Sequence, residues 1–302
     1  MSGQPASTIP GCQPPEPNTR KPRYRLPPGA CDAHCHVFGP AAKFPYAPER
    51  RYTPPDASRE QLADLHAVLG VERAVIVQAS CHGTDHAAML DAIAHSGGRY
   101  RGVCNARGEA SAAQFQRLHE GGVRGVRFNF VKHLGGAPDL DRLRGIVKQV
   151  APLGWHTEWH FDAADLLQYE SLFAEMPLPI VLDHMGRVPV ADGLAQQPFQ
   201  VLLRLFEHNP RLWIKISGAE RISRTGAPFH DAVPYARALV EIAPERLLWG
   251  TDWPHPNIKG SMPNDGDLVD LLPLFMEDET LRRQVLVDNP ARLFGFDQTL
   301  EE

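Results

Sequence analysis

The sequence predicts an α/β fold of the (β/α)8 TIM-barrel type. Three observations carry that expectation. Short apolar runs alternate with amphipathic stretches along most of the chain, which argues for a parallel sheet. There are eight such runs, which argues for a closed barrel over an open sheet. No G-x-G-x-x-G follows the first run, which counts against a dinucleotide-binding sheet.

Residues 1–28 are rich in proline and polar side chains and read as an arm that wraps the domain or stays mobile. Residues 29–302 then form one barrel domain. The expected strands are Ala30–His36, Arg73–Ala79, Tyr100–Asn105, Val123–Asn129, Trp155–Phe161, Pro179–His184, Leu212–Ser217 and Arg246–Asp252. Glycine or proline precedes or opens several of them, as at Gly29, Gly122, Gly154 and Pro179. Helical patterns fall between the strands, near 59–69, 85–96, 112–120, 140–151, 163–174, 199–207, 231–242 and 267–275.

Composition narrows the function classes. The chain is 43% hydrophobic and carries a formal net charge of −5, so nothing points to nucleic acid or a membrane surface. Its five cysteines include no C-x-x-C and read as reduced thiols in a cytoplasmic protein. The N-terminus lacks the apolar core of a signal peptide, and no run is long enough to span a bilayer. No coiled-coil seam is present, so a monomer or weak homodimer is expected.

A barrel displays its chemistry at the C-terminal ends of its strands. Polar residues gather there. Strand 1 ends Asp32–Ala33–His34–Cys35–His36, and period-2 alternation puts Asp32, His34 and His36 on one face. Strand 5 similarly aligns His156, Glu158 and His160, strand 6 ends at Asp183–His184, and strand 8 ends at Asp252. His34, His36, His160, His184 and Asp252 thus reach one rim from four strands. Imidazoles and a carboxylate in that pattern suit a borderline divalent metal such as Zn²⁺. They suit equally a metal-free acid/base cluster with Asp252 as base. His66, lying on a helical pattern, reads as a surface residue, and His156, deeper in its strand, as a packed one.

Arg127, Arg187 and Arg221 follow strands 4, 6 and 7 on the same rim. An arginine fork pairs with carboxylate or sulfonate, so a small anionic substrate is expected. Tyr52, Ser80 and Asn129 offer neutral hydrogen bonds beside it. His133 and His255 are further candidates. Loops 40–55 and 221–229 are the expected lids, with 253–267 lining the same mouth.

Several motifs together resemble a known family. They are Asp32–Pro40, Val77–Asp85, Gly125–Phe130, Asp183–Arg187, Trp249–Asn257 and the closing Asn289–Leu293. They resemble the lactonase branch of the amidohydrolase superfamily that opens 2-pyrone-4,6-dicarboxylate and 4-sulfomuconolactone. The resemblance implies a (β/α)8 barrel that hydrolyses an acidic lactone. It implies Asp252 as the residue activating water and His34, His36 and His184 around the scissile carbonyl. Tyr52, Ser80, Arg127, Arg187 and Arg221 would then hold substrate.

Two departures bear on substrate and metal. The pyrone enzymes carry a second arginine where this chain has His133, and a tyrosine where it has His160. They work without metal, whereas metal-dependent superfamily members carry a strand-5 histidine. The resemblance therefore implies zinc held by His34, His36, His160 and Asp252. It implies 4-sulfomuconolactone, opened to maleylacetate and sulfite, before the pyrone. A decarboxylase or hydratase on the same barrel is the remaining enzymatic expectation.

Overall fold

The computed structural model describes residues 9–106 and 110–296, apart from the His133 side chain. Eight strands run β1 Cys31–Cys35, β2 Arg73–Val77, β3 Tyr100–Asn105, β4 Val123–Asn129, β5 His156–His160, β6 Ile180–Leu182, β7 Leu212–Lys215 and β8 Leu247–Leu248. They pair in sequence order, all parallel. Three backbone bonds join the last segment to the first. Ala33 N donates to Trp249 O at 2.8 Å, Asp252 N to His34 O at 2.7 Å and His36 N to Trp253 O at 2.8 Å. The sheet therefore curls into a barrel.

The apolar alternation becomes two cores. Ala74, Ile76, Cys104, Val126, Trp159, Leu182, Ile214 and Leu247 face the surrounding helices. Val75, Val77, Val103, Val181 and Leu248 face inward with Phe294 and Phe296. Phe296 lies under Arg73 and Arg101, and Phe294 meets His156 edge-on. These are residues at the starts of β2, β3 and β5, so two phenylalanines plug the end of the barrel opposite the histidine-rich rim.

The helices are α1 Arg59–Leu69, α2 Ala87–Ala94, α3 Ala112–Glu120, α4 Leu140–Val150, α5 Glu170–Glu175, α6 Gln197–His208, α7 Ala219–Ile222, α8 Val233–Ile242, α9 Asp265–Asp270, α10 Leu272–Phe275, α11 Glu279–Arg283 and α12 Asn289–Phe294. Ser58 with Gln61, and Ser111 with Gln114, form capping boxes that start α1 and α3. The expected helix over 163–174 is instead a 3₁₀ segment Ala163–Tyr169 followed by α5. The expected helix over 267–275 divides at Leu271, just before Pro273, which donates no backbone hydrogen bond. The helical close at 279–294 was not among the expected helices.

Strand 1 departs from period 2. Its register against β2 shifts between Asp32 and Cys35. Asp32 therefore does not share the face of His34 and His36. It turns to the helix layer, 3.3 Å from His66 Nε2, and accepts from Thr251 Oγ1 at 2.6 Å. His66, expected at the surface, is buried against it and pairs with the Tyr100 hydroxyl at 3.0 Å.

Residues 9–28 run along the barrel wall. Cys12 N donates to Thr53 O at 3.0 Å, Arg20 N to Asn264 Oδ1 at 3.0 Å and Arg23 N to Asp270 Oδ1 at 2.7 Å. Among the described residues no helix is long and apolar enough to cross a membrane.

Candidate active site

The ends of β1, β4, β5, β6, β7 and β8 deliver charged side chains in two layers. The deeper layer centres on Lys215, an ammonium with no exposed side-chain surface. Lys215 Nζ donates to Glu158 Oε2 at 2.5 Å and lies 3.4 Å from Asp183 Oδ1 and 3.0 Å from His34 Nδ1. Arg127 grips Asp183 Oδ2 through Nε at 3.0 Å and Nη2 at 2.8 Å. A buried charge survives only when paired, and each of these is.

Asp252 is the centre of the upper layer. Its Oδ1 lies 3.1 Å from His36 Nε2 and 3.6 Å from His34 Nε2. Its Oδ2 accepts from Arg221 Nε and lies 3.8 Å from His184 Nε2. His36 is oriented from behind, with Nδ1 2.7 Å from Val77 O. A carbonyl only accepts, so Nδ1 carries a proton. His184 is fixed through Nδ1, 3.0 Å from Ser217 Oγ.

The backbone is specialised where these residues sit. Asp252 has φ 65° and His184 φ 52°, the left-handed region that costs an L-residue energy unless its surroundings impose it. Gly218, at φ 75°, passes so close to His184 that a Cβ there would lie 2.7 Å from the histidine Cβ. A Cβ on Gly250 would lie 2.4 Å from His34 N. Those two glycines let the barrel wall close onto the histidines.

The protonation states follow from these surroundings. Burial, helped by Lys215, holds His34 well below the ordinary imidazole value. Burial lowers His184 to about 4, and burial with Arg127 holds His160 well below its usual value. All three are neutral at pH 7. Burial alone would raise Asp252, but Arg221 above all outweighs it and holds the carboxyl well below the usual range. Asp183 is held down in the same way, by Arg127 and Lys215 against burial.

Above the two layers opens a cavity of about 1180 Å³. Its lining includes His36, His160, His184 and Asp252 from the expected reacting set, and Tyr52, Ser80, Arg127, Asn129, Arg187 and Arg221 from the expected substrate set. The wall also includes segments 134–139 and 256–259, Arg51, Arg142 and the acids Glu49 and Glu220. The 134–139 stretch was not among the expected rim loops.

Some expected residues sit elsewhere. Among the described residues, His34, His36 and Asp252 offer donor atoms within 4.8 Å of one another, but His160 belongs to no such group. Its Nε2 instead meets Arg187 Nη1 at 3.4 Å, while Arg187 Nε holds Asp162 at 2.6 Å. His255 is not brought to the cavity. It is fully buried, 3.1 Å from Asp265 and 3.6 Å from Glu220, and Asp265 overcomes burial to raise it to about 10. The backbone at His133 lies in the one-turn segment Lys132–Leu134, and its side chain falls outside the described residues.

The geometry agrees with what the chain resembles. Residues 31–296 match the amidohydrolase family model. This chain belongs to the amidohydrolase family. The amidohydrolase is 48% identical to a 2-pyrone-4,6-dicarboxylate hydrolase of Comamonas testosteroni, over 92% of this chain and 93% of the relative. It is 44% identical to a 4-sulfomuconolactone hydrolase of Rhizobium radiobacter, over 95% and 97%. It also resembles the solved structure of a putative 2-pyrone-4,6-dicarboxylic acid hydrolase from Pseudomonas putida, with TM-score 0.77, 33% identity, and 91% and 100% coverage.

Sequence reasoning passed over Lys215 and Glu220, and did not select Glu158 or Asp183 as site residues. Lys215 did leave a signal: a lysine inside the apolar run Leu212–Ile216 of a barrel strand has to meet buried acid. Glu220 left none, because His255, its partner beside the neighbouring Arg221, comes from a segment distant in the chain.

Proposed function

We propose that this amidohydrolase opens the ring of a lactone bearing carboxylate or sulfonate groups. The observation carrying the proposal is one carboxylate, Asp252, flanked by His36 and His184 at the floor of a cavity lined by Arg127, Arg187 and Arg221, with His34 buried beneath it. The relatives' names support the same chemistry.

In this reading Asp252 stays ionised, orients the attacking water through Oδ1 and takes its proton as the C–O bond forms. His184, a neutral ring fixed by Ser217, donates toward the oxyanion that develops on the carbonyl. The arginines align the acidic groups so that the carbonyl is presented to the water. The leaving oxygen departs as an enolate, a weak base, and solvent protonates it. Where the carbon bearing the ring oxygen also carries sulfonate, that oxygen leaves as an alkoxide instead, and its electron pair forms C=O as the C–S bond breaks and sulfite departs, with no dedicated residue.

The inner arginines already hold protein carboxylates: Arg127 holds Asp183, Arg187 holds Asp162 and Arg221 holds Asp252. Arg51, Arg142 and Lys259 line the same cavity with no acid partner among the described residues. They supply additional positive charge for a substrate anion.

The residues present also fit a zinc ion at one place. His36 Nδ1 is bound to Val77 O, so in the neutral ring the Nε2 lone pair faces Asp252 Oδ1 at 3.1 Å. His34 Nε2 is buried with no hydrogen-bond partner. Both facts call for a proton or a cation between the three groups. His34, His36 and Asp252 would hold the ion, and a bound zinc supplies a water of lowered pKa. The metal-free reading has its own support. Glu158, Asp183 and Asp252 are matched in charge by Lys215, Arg127 and Arg221, so the site's charges balance without an ion. Metal analysis with chelation separates the two. Loss of turnover on chelation and recovery with Zn²⁺ supports the ion, and full turnover by metal-free protein removes it.

The function itself is tested with 4-sulfomuconolactone, 2-pyrone-4,6-dicarboxylate and a neutral lactone. The expected result is ring opening of an acidic lactone and little turnover of the neutral one. Release of CO₂ without ring opening would instead mark a decarboxylase. Five free cysteines fit a reducing compartment, which we propose is the cytoplasm.

A further inference from the structure

Beside Asp252 runs a line of five buried ionisable groups that the chemistry above does not fully use. Asp265, on α9, lies 3.1 Å from His255 Nε2. His255 Nδ1 lies 3.6 Å from Glu220 Oε1. Glu220 Oε1 lies 3.6 Å from Arg221 Nε, which donates to Asp252 Oδ2. The charges alternate along the line: minus, plus, minus, plus, minus. Exposure is 2% or less at every side chain except Arg221, at 12%.

Glu220 is the unusual member. Among the described residues neither of its carboxylate oxygens has a hydrogen-bond partner, and neither does His255 Nδ1. Glu220 is thus held by the two cations flanking it and not by backbone amides. A divalent ion among Glu220, Asp252 and His255 is the competing account, since their donor atoms lie within 4.8 Å of one another. Arg221 argues against it, because its guanidinium already contacts both carboxylates of that group.

We propose that Glu220, backed by His255 and Asp265, is a positioning residue that fixes where Arg221 sits against Asp252. The proposal rests on the reading of Asp252 as the group at the attacking water. Arg221 has two carboxylates within reach. Glu220 draws it toward Oδ2 of Asp252, leaving Oδ1 facing His34 and His36. Without Glu220 the guanidinium keeps Asp252 and the Pro256 carbonyl, which accepts from Nη1 and Nη2 at 3.2 Å each, but Nε loses the second anion that opposes the pull of Asp252. His255, expected from sequence to touch substrate, acts here two residues removed from it, through Glu220.

The test measures kcat and KM on the acidic lactone for Glu220→Gln and Glu220→Asp, each in the wild-type and the Arg221→Lys background. Glu220→Gln is expected to lower kcat about tenfold with KM within about twofold. In the Arg221→Lys background the same change is expected to cost less than about twofold. Glu220→Asp, which keeps the charge, is expected to restore most of kcat. Equal losses in both backgrounds, or an unchanged kcat, would overturn the proposal.

A second readout needs no turnover. The Arg221 Nε–H resonance is expected to shift in His255→Gln, although among the described residues the His255 ring is paired with Glu220 and Asp265 and not with Arg221. A resonance unmoved in both His255→Gln and Glu220→Gln overturns the proposal. A wild-type protein that opens no lactone sinks the functional reading instead, and the resonance still decides the positioning role.

Discussion

At the scale of single residues, opposing forces set the site's protonation. Asp252 is buried, which would favour its neutral form, yet the Arg221 guanidinium beside it keeps it anionic. Burial keeps His34 and His184 neutral; Lys215 adds to it at His34, and at His184 burial prevails over Asp252 and Asp183. The rim cations make a separable prediction. Arg142→Ala is expected to raise KM for a dianionic lactone about five- to tenfold with kcat nearly unchanged, because an exposed cation adds binding equally to ground and transition state. Steady-state kinetics in low and high salt check it, with the difference shrinking as salt rises. Gly218→Ala is expected to destabilise the fold by ~1–3 kcal/mol, since it combines φ 75° with a Cβ pressed on His184. Chemical denaturation reads that loss.

At the scale of elements, the alternation of apolar runs was legible because each strand buries two faces of different kinds. It failed at β1, where the register shift turns Asp32 to the helix layer. A bulge leaves no mark in hydrophobic period, so Asp32 was expected on the face of His34 and His36. The split at Leu271 was readable from Pro273 and was passed over. The helical close at 279–294 went unread because a barrel needs no further strand–helix unit after β8. Its role is packing: Phe294 is fully buried against the inner faces of the strands. Phe294→Ala is expected to cost ~3–5 kcal/mol, measurable as a lowered midpoint in urea, with the rim left intact.

For the whole molecule, sequence could bring His34, His36, His184 and Asp252 to one rim because strand ends are fixed by the barrel. It could not separate His160 or His255 from that group, because orientation depends on partners such as Arg187 and Asp265. His255 also shapes stability against pH. Its value is raised to about 10 from an ordinary 6.5, so the folded state holds its proton more tightly than the unfolded chain. That stabilisation is complete below pH 6.5 and is lost as pH climbs toward 10. His184, lowered to about 4, has the opposite sign: its contribution is present above pH 6.5 and lost as pH falls toward 4. The wild type is therefore expected to lose stability between pH 7 and 10 more steeply than His255→Gln, which denaturation at each pH checks.

The most direct measurement is lactone consumption by the wild type and by Asp252→Asn, side by side, on a ring carrying acidic groups. Steady ring opening by the wild type is expected, with a loss of about 10²–10⁴-fold in kcat for the variant, the range that follows removal of a general base. Equal rates for the two proteins would contradict it.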